Sequence, residues 1–156
     1  MRQSVIGMAL ASSAGLVLLG PGCSSSGPPA PNSFTEVYTK VIQPSCTSDY
    51  CHYNGVGLRY SGLDMSSQVI AYWSLVNQPA MGASCSQMGT RVIPGYPEDS
   101  LLYTKVSQTM PSCGSRMPAD VNALVNNGGA IFSGTALGTD LQNLIYQWIS
   151  DGAQDN

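Results

Sequence analysis

The chain has 156 residues, 43% of them hydrophobic, which suits one domain with a modest core. Only 10% are charged and the net charge is −3, so no basic footprint for nucleic acid exists. The chain holds one histidine, which excludes sites that need two, blue copper among them.

Residues 1–23 read as an export signal and stand apart from the fold. Met1-Arg2-Gln3 is a small positive start, and Val5 to Leu19 is an apolar, small-residue run. Leu18-Leu19-Gly20-Pro21-Gly22-Cys23 resembles a bacterial lipoprotein cleavage box, with Gly20 where Leu is usual. Residues 24–32, rich in Ser, Gly and Pro, follow as a flexible tether. Lipid on Cys23 is the reading adopted; a plain cleaved signal and an uncleaved anchor are the alternatives. It makes the protein an exported lipoprotein of the periplasm, outer membrane or cell surface. Four cysteines then remain, an even number in a compartment that permits disulfides.

The domain proper is expected over 33–153. Ser33-Phe34-Thr35-Glu36 has the form of a capping box, in which hydroxyl and carboxylate satisfy reciprocal backbone donors. Phe34, Val37, Tyr38, Val41 and Ile42 then form one apolar helical stripe, and Pro44 is expected to stop that helix before Cys46. Cys46-Thr47-Ser48-Asp49-Tyr50-Cys51-His52 follows at once. Ser66 or Ser67 is expected to cap a second helix through Val69, Ile70, Trp73, Leu75 and Val76. Residues 93–100 read as a loop, with Asp99 or Ser100 capping a short helix of Leu101, Leu102, Tyr103 and Val106. Residues 121–138 lack periodicity, apart from a possible short helix at Val121 to Val125. Thr139-Asp140-Leu141-Gln142 opens a last helix with Leu141, Leu144, Ile145, Trp148 and Ile149 on one stripe, and Gly152 ends it. No strand pattern of useful length occurs, so the class is all-α with long loops.

The Cys46/Cys51/His52 group carries the chemistry. The usual covalent haem signature is Cys-x-x-Cys-His, two thiols for thioethers and an imidazole for iron. Here four residues separate the cysteines. On a regular helix that spacing turns them about 140° apart, so two residues must bulge, and Ser48-Asp49 is suitable turn material. A Cys46–Cys51 disulfide is the alternative use of the same residues. A zinc set of Cys46, Cys51, His52 and one more cysteine is a third, disfavoured by export and by the lack of a second short cysteine pair.

The ordered motifs resemble a class I-type cytochrome c domain, in a divergent form found in myxobacterial and planctomycete-like lipoproteins. The pieces are the helix ending in Cys46…Cys51-His52, then Gly62-Leu63-Asp64-Met65-Ser66. After these come Pro94-Gly95-Tyr96-Pro97-Glu98-Asp99-Ser100-Leu101-Leu102-Tyr103, Cys113-Gly114-Ser115-Arg116-Met117-Pro118, and Trp148-Ile149-Ser150-Asp151-Gly152-Ala153. The resemblance implies crossed terminal helices, covalent haem c on Cys46 and Cys51, His52 as proximal ligand and Met117 as distal ligand.

Two methionines precede proline, Met110 and Met117. Met117 lies 65 residues beyond His52 (117 − 52 = 65), enough chain to cross over a haem. Met110 is the alternative, while Met81 and Met88 read as packing or loop residues. A His/Met pair saturates iron, which favours electron transfer over catalysis. Cys85 and Cys113 read as a structural disulfide. Trp148 and Phe34 read as helix-packing residues; Arg116 is either a haem-propionate partner or an exposed arginine without that duty. The expected function is single-electron transfer to a redox partner protein with a basic docking patch, the membrane being reached through the lipid anchor. A haem-free, disulfide-stapled structural or interaction lipoprotein on the same fold is the alternative. A peroxidase-like or ligand-sensing haem protein requires Met117 to be absent or displaceable.

Overall fold

A computed structural model describes residues 31–47, 51–53, 56–119 and 136–156. The signal, Cys23, most of the tether, Ser48-Asp49-Tyr50 and the Val121–Val125 helix expectation lie outside the described residues.

The first helix, α1, is continuous over 34–46. It begins as α-helix at Phe34–Val37, widens to a π-helix at Tyr38–Ile42, and closes as α-helix at Gln43–Cys46. Ser33 caps it, its Oγ accepting the Glu36 N–H at 3.1 Å. The reciprocal half of the box is displaced by one residue: the Glu36 carboxylate accepts from the Asn32 N–H at 3.1 Å and pairs with Lys40. Pro44 does not stop the helix. Proline has no N–H and its ring strikes the preceding turn of a regular helix. The wide turn just before it, closed by Gln43 N–H to the Tyr38 carbonyl, makes room for the ring. Cys46 therefore sits on the helix itself.

Next come α2 (Val56–Ser61) and α3 (Gln68–Leu75). Ser67 caps α3, accepting the Ile70 N–H at 3.3 Å. The buried side of α3 is Ala71 and Leu75, whereas Val69, Ile70 and Trp73 face solvent. A single 3-10 turn at Pro97–Asp99 leads into α4 (Leu101–Ser107). Ser100 precedes α4 but does not cap it. Its buried hydroxyl instead accepts from the Ile93 N–H and donates to the Tyr96 carbonyl, both at 2.8 Å, closing the loop before the helix.

The last helix, α5 (Thr139–Ser150), starts from Gly138 rather than from a Thr139 cap, and Gln142 turns back to the Leu137 carbonyl. It ends in a Schellman motif: Ala153 N–H bonds the Trp148 carbonyl, Gly152 N–H the Ile149 carbonyl, and Gly152 has φ +98°. Among the described residues there is no strand, only isolated bridges such as Val76 to Val92. The protein is mostly helical.

One core holds α1 against α5. Phe34 and Trp148, 0% and 1% exposed, stack with centroids 5.0 Å apart, and Tyr72 of α3 meets Phe34 edge-on at 5.2 Å. A second, smaller cluster gathers Ala80, Cys85, Leu101 and Cys113.

Candidate functional site

Because α1 runs on to Cys46, its last turn delivers one thiol directly to the core surface, where Cys46 packs on the main cluster. The chain then returns on itself: the His52 N–H donates to the Cys46 carbonyl at 2.9 Å. Whatever path residues 48–50 take, the two ends of the spacer are joined. The His52 carbonyl in turn accepts from Met65 N–H at 2.8 Å, so the histidine backbone is held on both sides. No disulfide joins Cys46 to Cys51. Burial first, and then the charge of the neighbouring Cys51, push the Cys46 thiol up to about 12. At neutral pH it is a protonated thiol.

The His52 ring is oriented by the segment after it. Nδ1 lies 3.3 Å from Ser61 Oγ, and the ring also hydrogen-bonds the Leu63 backbone. Burial is the main cause holding its pKa below the ordinary histidine value; the Leu63 bond opposes this, and the charges of Arg91 and Lys105 add to it. The ring of this half-buried histidine is thus held on two sides, by the Ser61 hydroxyl, which can donate or accept, and by the Leu63 backbone.

Arg91 and Lys105 organise this neighbourhood, and no sequence motif marks either. Arg91 is 8% exposed and is answered by carbonyls: Nη1 donates to Ser74 at 2.7 Å, Nη2 to Ser61 at 3.0 Å and Gly62 at 2.9 Å. It thus holds the end of α2, and with it Ser61, against the end of α3. Gly62 has φ +60°, and a Cβ there would stand 3.0 Å from Met81 Cβ, so this turn admits only glycine without strain. The available hint was that Arg91 ends a stretch, 65–90, with no charged residue. Such a cation has no ion partner close in sequence and must find carbonyls.

Lys105 does the same for the Met117 loop. Its Nζ donates to Cys113 at 2.7 Å and to Ser115 at 3.0 Å, while its own carbonyl accepts the Met117 N–H at 2.8 Å. Gly114, with φ +57°, leaves the space: a Cβ there would lie 2.9 Å from Nζ. The loop is also bolted by the Cys85–Cys113 disulfide, with Cα atoms 5.2 Å apart and both residues buried. Met117 packs on the main cluster, half-buried, whereas Met110 is 87% exposed and Met81 and Met88 face solvent as loop residues. Lys105 therefore links the two halves of the site: it fastens Met117 by its backbone and acts on His52 by its charge.

Arg116, beside Met117, has a buried Nε with no hydrogen-bond partner. Buried donors are nearly always satisfied, so this one points to an acceptor that the described residues do not supply. Two thiols, an oriented imidazole, a thioether and an orphaned guanidinium N–H match in donor type what a covalently held haem with an anionic propionate requires. Among the described residues no group of three or more His, Cys, Asp or Glu side chains gathers to hold a bare metal ion, so the zinc alternative finds no cluster there. Two surface concavities along Pro31, Glu36, Lys40 and the start of α5 contain none of these residues.

What fold and site define is an all-α domain in which Cys46, at the end of the first helix, and Met117, on a disulfide-anchored loop, pack on the same core. No protein-family model, curated protein or solved structure matches this chain.

Proposed function

We propose that the protein is an exported, lipid-anchored, monohaem c-type cytochrome that carries single electrons on a cytochrome c-like fold. The reading rests on one arrangement. Cys46, whose carbonyl accepts the His52 N–H, and Met117, whose N–H is held by the Lys105 carbonyl, pack on one core cluster.

In this reading Cys46 and Cys51 would hold the macrocycle, His52 and Met117 would ligate its iron, and Cys23 would carry the lipid. When bound, haem supplies a one-electron couple. The chain's own residues do the rest. Ser61 and the Leu63 backbone orient the imidazole, Arg91 fixes the turn that carries Ser61, and Lys105 with the Cys85–Cys113 bridge presents Met117. Arg116 Nε would answer a propionate. Two protein ligands leave no position for substrate, which favours relay over catalysis. The redox partner is a protein with a basic docking patch, matched to the net charge of −3.

The test is the intact mass of the mature chain from a host with a cytochrome c maturation system. A mass greater than the polypeptide by one haem, with colour surviving denaturation, is expected, and Cys46→Ala with Cys51→Ala should abolish both. A haem-free mass with Cys46 and Cys51 oxidised to each other rejects the reading in favour of the disulfide-stapled structural lipoprotein.

A further inference from the structure

Helix α3, Gln68–Leu75, is apolar nearly all round: Val69, Ile70, Ala71, Tyr72, Trp73 and Leu75 are six of its eight residues. A helix of that composition belongs between two apolar partners. Among the described residues only one is present. Ala71 and Leu75 are buried at 0% and 1% exposure, while Val69 and Trp73 stand at 63% and 66% and Ile70 at 42%. These three share one face, at i, i+1 and i+4.

The patch extends past the helix. Arg91 bridges the Ser61 and Gly62 carbonyls to that of Ser74, which brings the end of α2 beside the end of α3. Tyr60 and Met81, 71% and 63% exposed, lie at that junction, Met81 Cβ being 3.0 Å from where a Gly62 Cβ would stand. Residues 65–90 contain no Asp, Glu, Lys, Arg or His. The helix itself therefore brings no ion that covering it would strip of water; the charges at its margins are Arg59, beside Tyr60, and Asp155, which acts on Tyr72.

The position of the tether says what covers it. Gln68 Nε2, at the start of α3, donates to Thr35 Oγ1 at 2.8 Å, and Tyr72 packs on Phe34. The chain thus enters the domain directly beside the apolar face. Residues 24–32 span at most about 30 Å when fully extended. A lipid on Cys23 holds this end of the domain, with Trp73 on it, at the bilayer surface.

We infer that the exposed face of α3 docks into the membrane interface beneath the lipid anchor, with Trp73 and Tyr60 at headgroup level. This rests on the reading of Cys23 as the lipidated residue. A lipid anchor alone leaves the domain free to tumble on its tether; a second, interfacial contact fixes its orientation. Trp and Tyr, apolar in body and polar at one atom, favour this layer.

The chain has two tryptophans, and Trp148 is 1% exposed, so Trp73 reports alone on the surface. The full lipidated chain is placed in phosphatidylethanolamine/phosphatidylglycerol vesicles carrying bromine on the acyl carbons nearest the headgroup. Blue-shifted, quenched Trp73 emission is expected, identified by difference from Trp73→Phe. Val69→Asp should remove the quenching while the chain stays on the vesicles. Asp in the first turn suits a helix N-terminus, so this variant keeps its fold. Water-like Trp73 emission from vesicle-held protein overturns the inference. So does a blue shift without vesicles accompanied by a concentration-dependent mass, which assigns the face to a second copy. If mass spectrometry finds Cys23 without lipid, the anchor reading fails separately. The docking is then measured on the full chain held by an amino-terminal hexahistidine to nickel-chelating lipid, with the same two outcomes.

Discussion

Replacing Lys105 with methionine keeps the aliphatic stem and removes only the ammonium. The loss is then two charge-assisted hydrogen bonds, to the Cys113 and Ser115 carbonyls at 2.7 and 3.0 Å. Bonds to charged groups contribute about 1.5–3 kcal/mol each. Lys105 is only half-buried, so water can answer the released carbonyls and recovers roughly half of that sum, leaving a net loss of about 2–3 kcal/mol. Urea unfolding should register this as a midpoint lowered by about 1–2 M. Native-state hydrogen exchange should show the Met117 amide, bonded to the Lys105 carbonyl, opening more often. Gly114→Ala provides the cross-check. It puts a Cβ 2.9 Å from Nζ at a residue with φ +57°, so in the wild type it costs the backbone strain, about 1–2 kcal/mol, and part of the clamp. In the Lys105→Met background only the strain remains, and the two changes should add up to less than their sum. Stability within about 0.5 kcal/mol of wild type, with unchanged Met117 protection, would refute the clamp.

Three further outcomes are expected. In the haem-loaded protein, Met117→Ala should abolish the weak far-red sulfur-to-iron band, lower the potential and admit carbon monoxide, whereas Met110→Ala, at a side chain 87% exposed, should do none of this. Ready carbon monoxide binding by the wild type would favour the ligand-sensing or peroxidase-like reading. Cys85→Ala with Cys113→Ala opens a loop of 28 residues in sequence separation and should cost about 3–4 kcal/mol by chain entropy, read by calorimetry; an unchanged midpoint would mean that the Lys105 clamp alone suffices. In the haem-free chain His52 has a depressed folded pKa, through burial and the charges of Arg91 and Lys105, against about 6.5 unfolded. Below 6.5 the unfolded chain binds the proton first, so this stability is complete above 6.5 and lost as pH falls towards the folded pKa. His52→Gln should flatten that part of the pH–stability curve, and a slope unaffected by it would sink the assignment.

The parts legible in the sequence were those fixed by local chemistry. The Ser33 and Ser67 caps, the stripe of α5 and the Gly152 stop each depend on residues within a turn of one another, and each is found in place. Three local signals misled because a neighbour within a few residues changed the outcome. Pro44 reads as a stop only if the preceding turn is regular, and it is not. Ser100 is placed to cap α4, yet its hydroxyl is taken by Ile93 and Tyr96. Thr139 reads as a cap, but Gly138 holds that position. The site was legible in its donors, since cysteine, histidine and methionine are scarce enough to notice. Its supports were not: Ser61, Arg91 and Lys105 act through carbonyls contributed by other segments, and carbonyls have no sequence signature. The exposed face of α3 was hidden for the opposite reason, because an apolar helix reads as core until its neighbours are known.

The placement of the two clamping cations also divides how salt acts on the molecule. The one ion pair among the described residues, Glu36 with Lys40, is on the surface. Arg91 and Lys105 are answered by carbonyls, so their positive charges stand uncancelled beside His52, inside a protein whose net charge is −3. Surface charge is screened over about 8 Å at physiological ionic strength, and buried charge much less. Raising the salt should therefore slow encounter with the proposed basic partner, while the share of the field at His52 that comes from buried Arg91 is screened far less. A group seated there that gains an electron is favoured by that field. Its midpoint potential should hold steady across a salt titration that weakens docking.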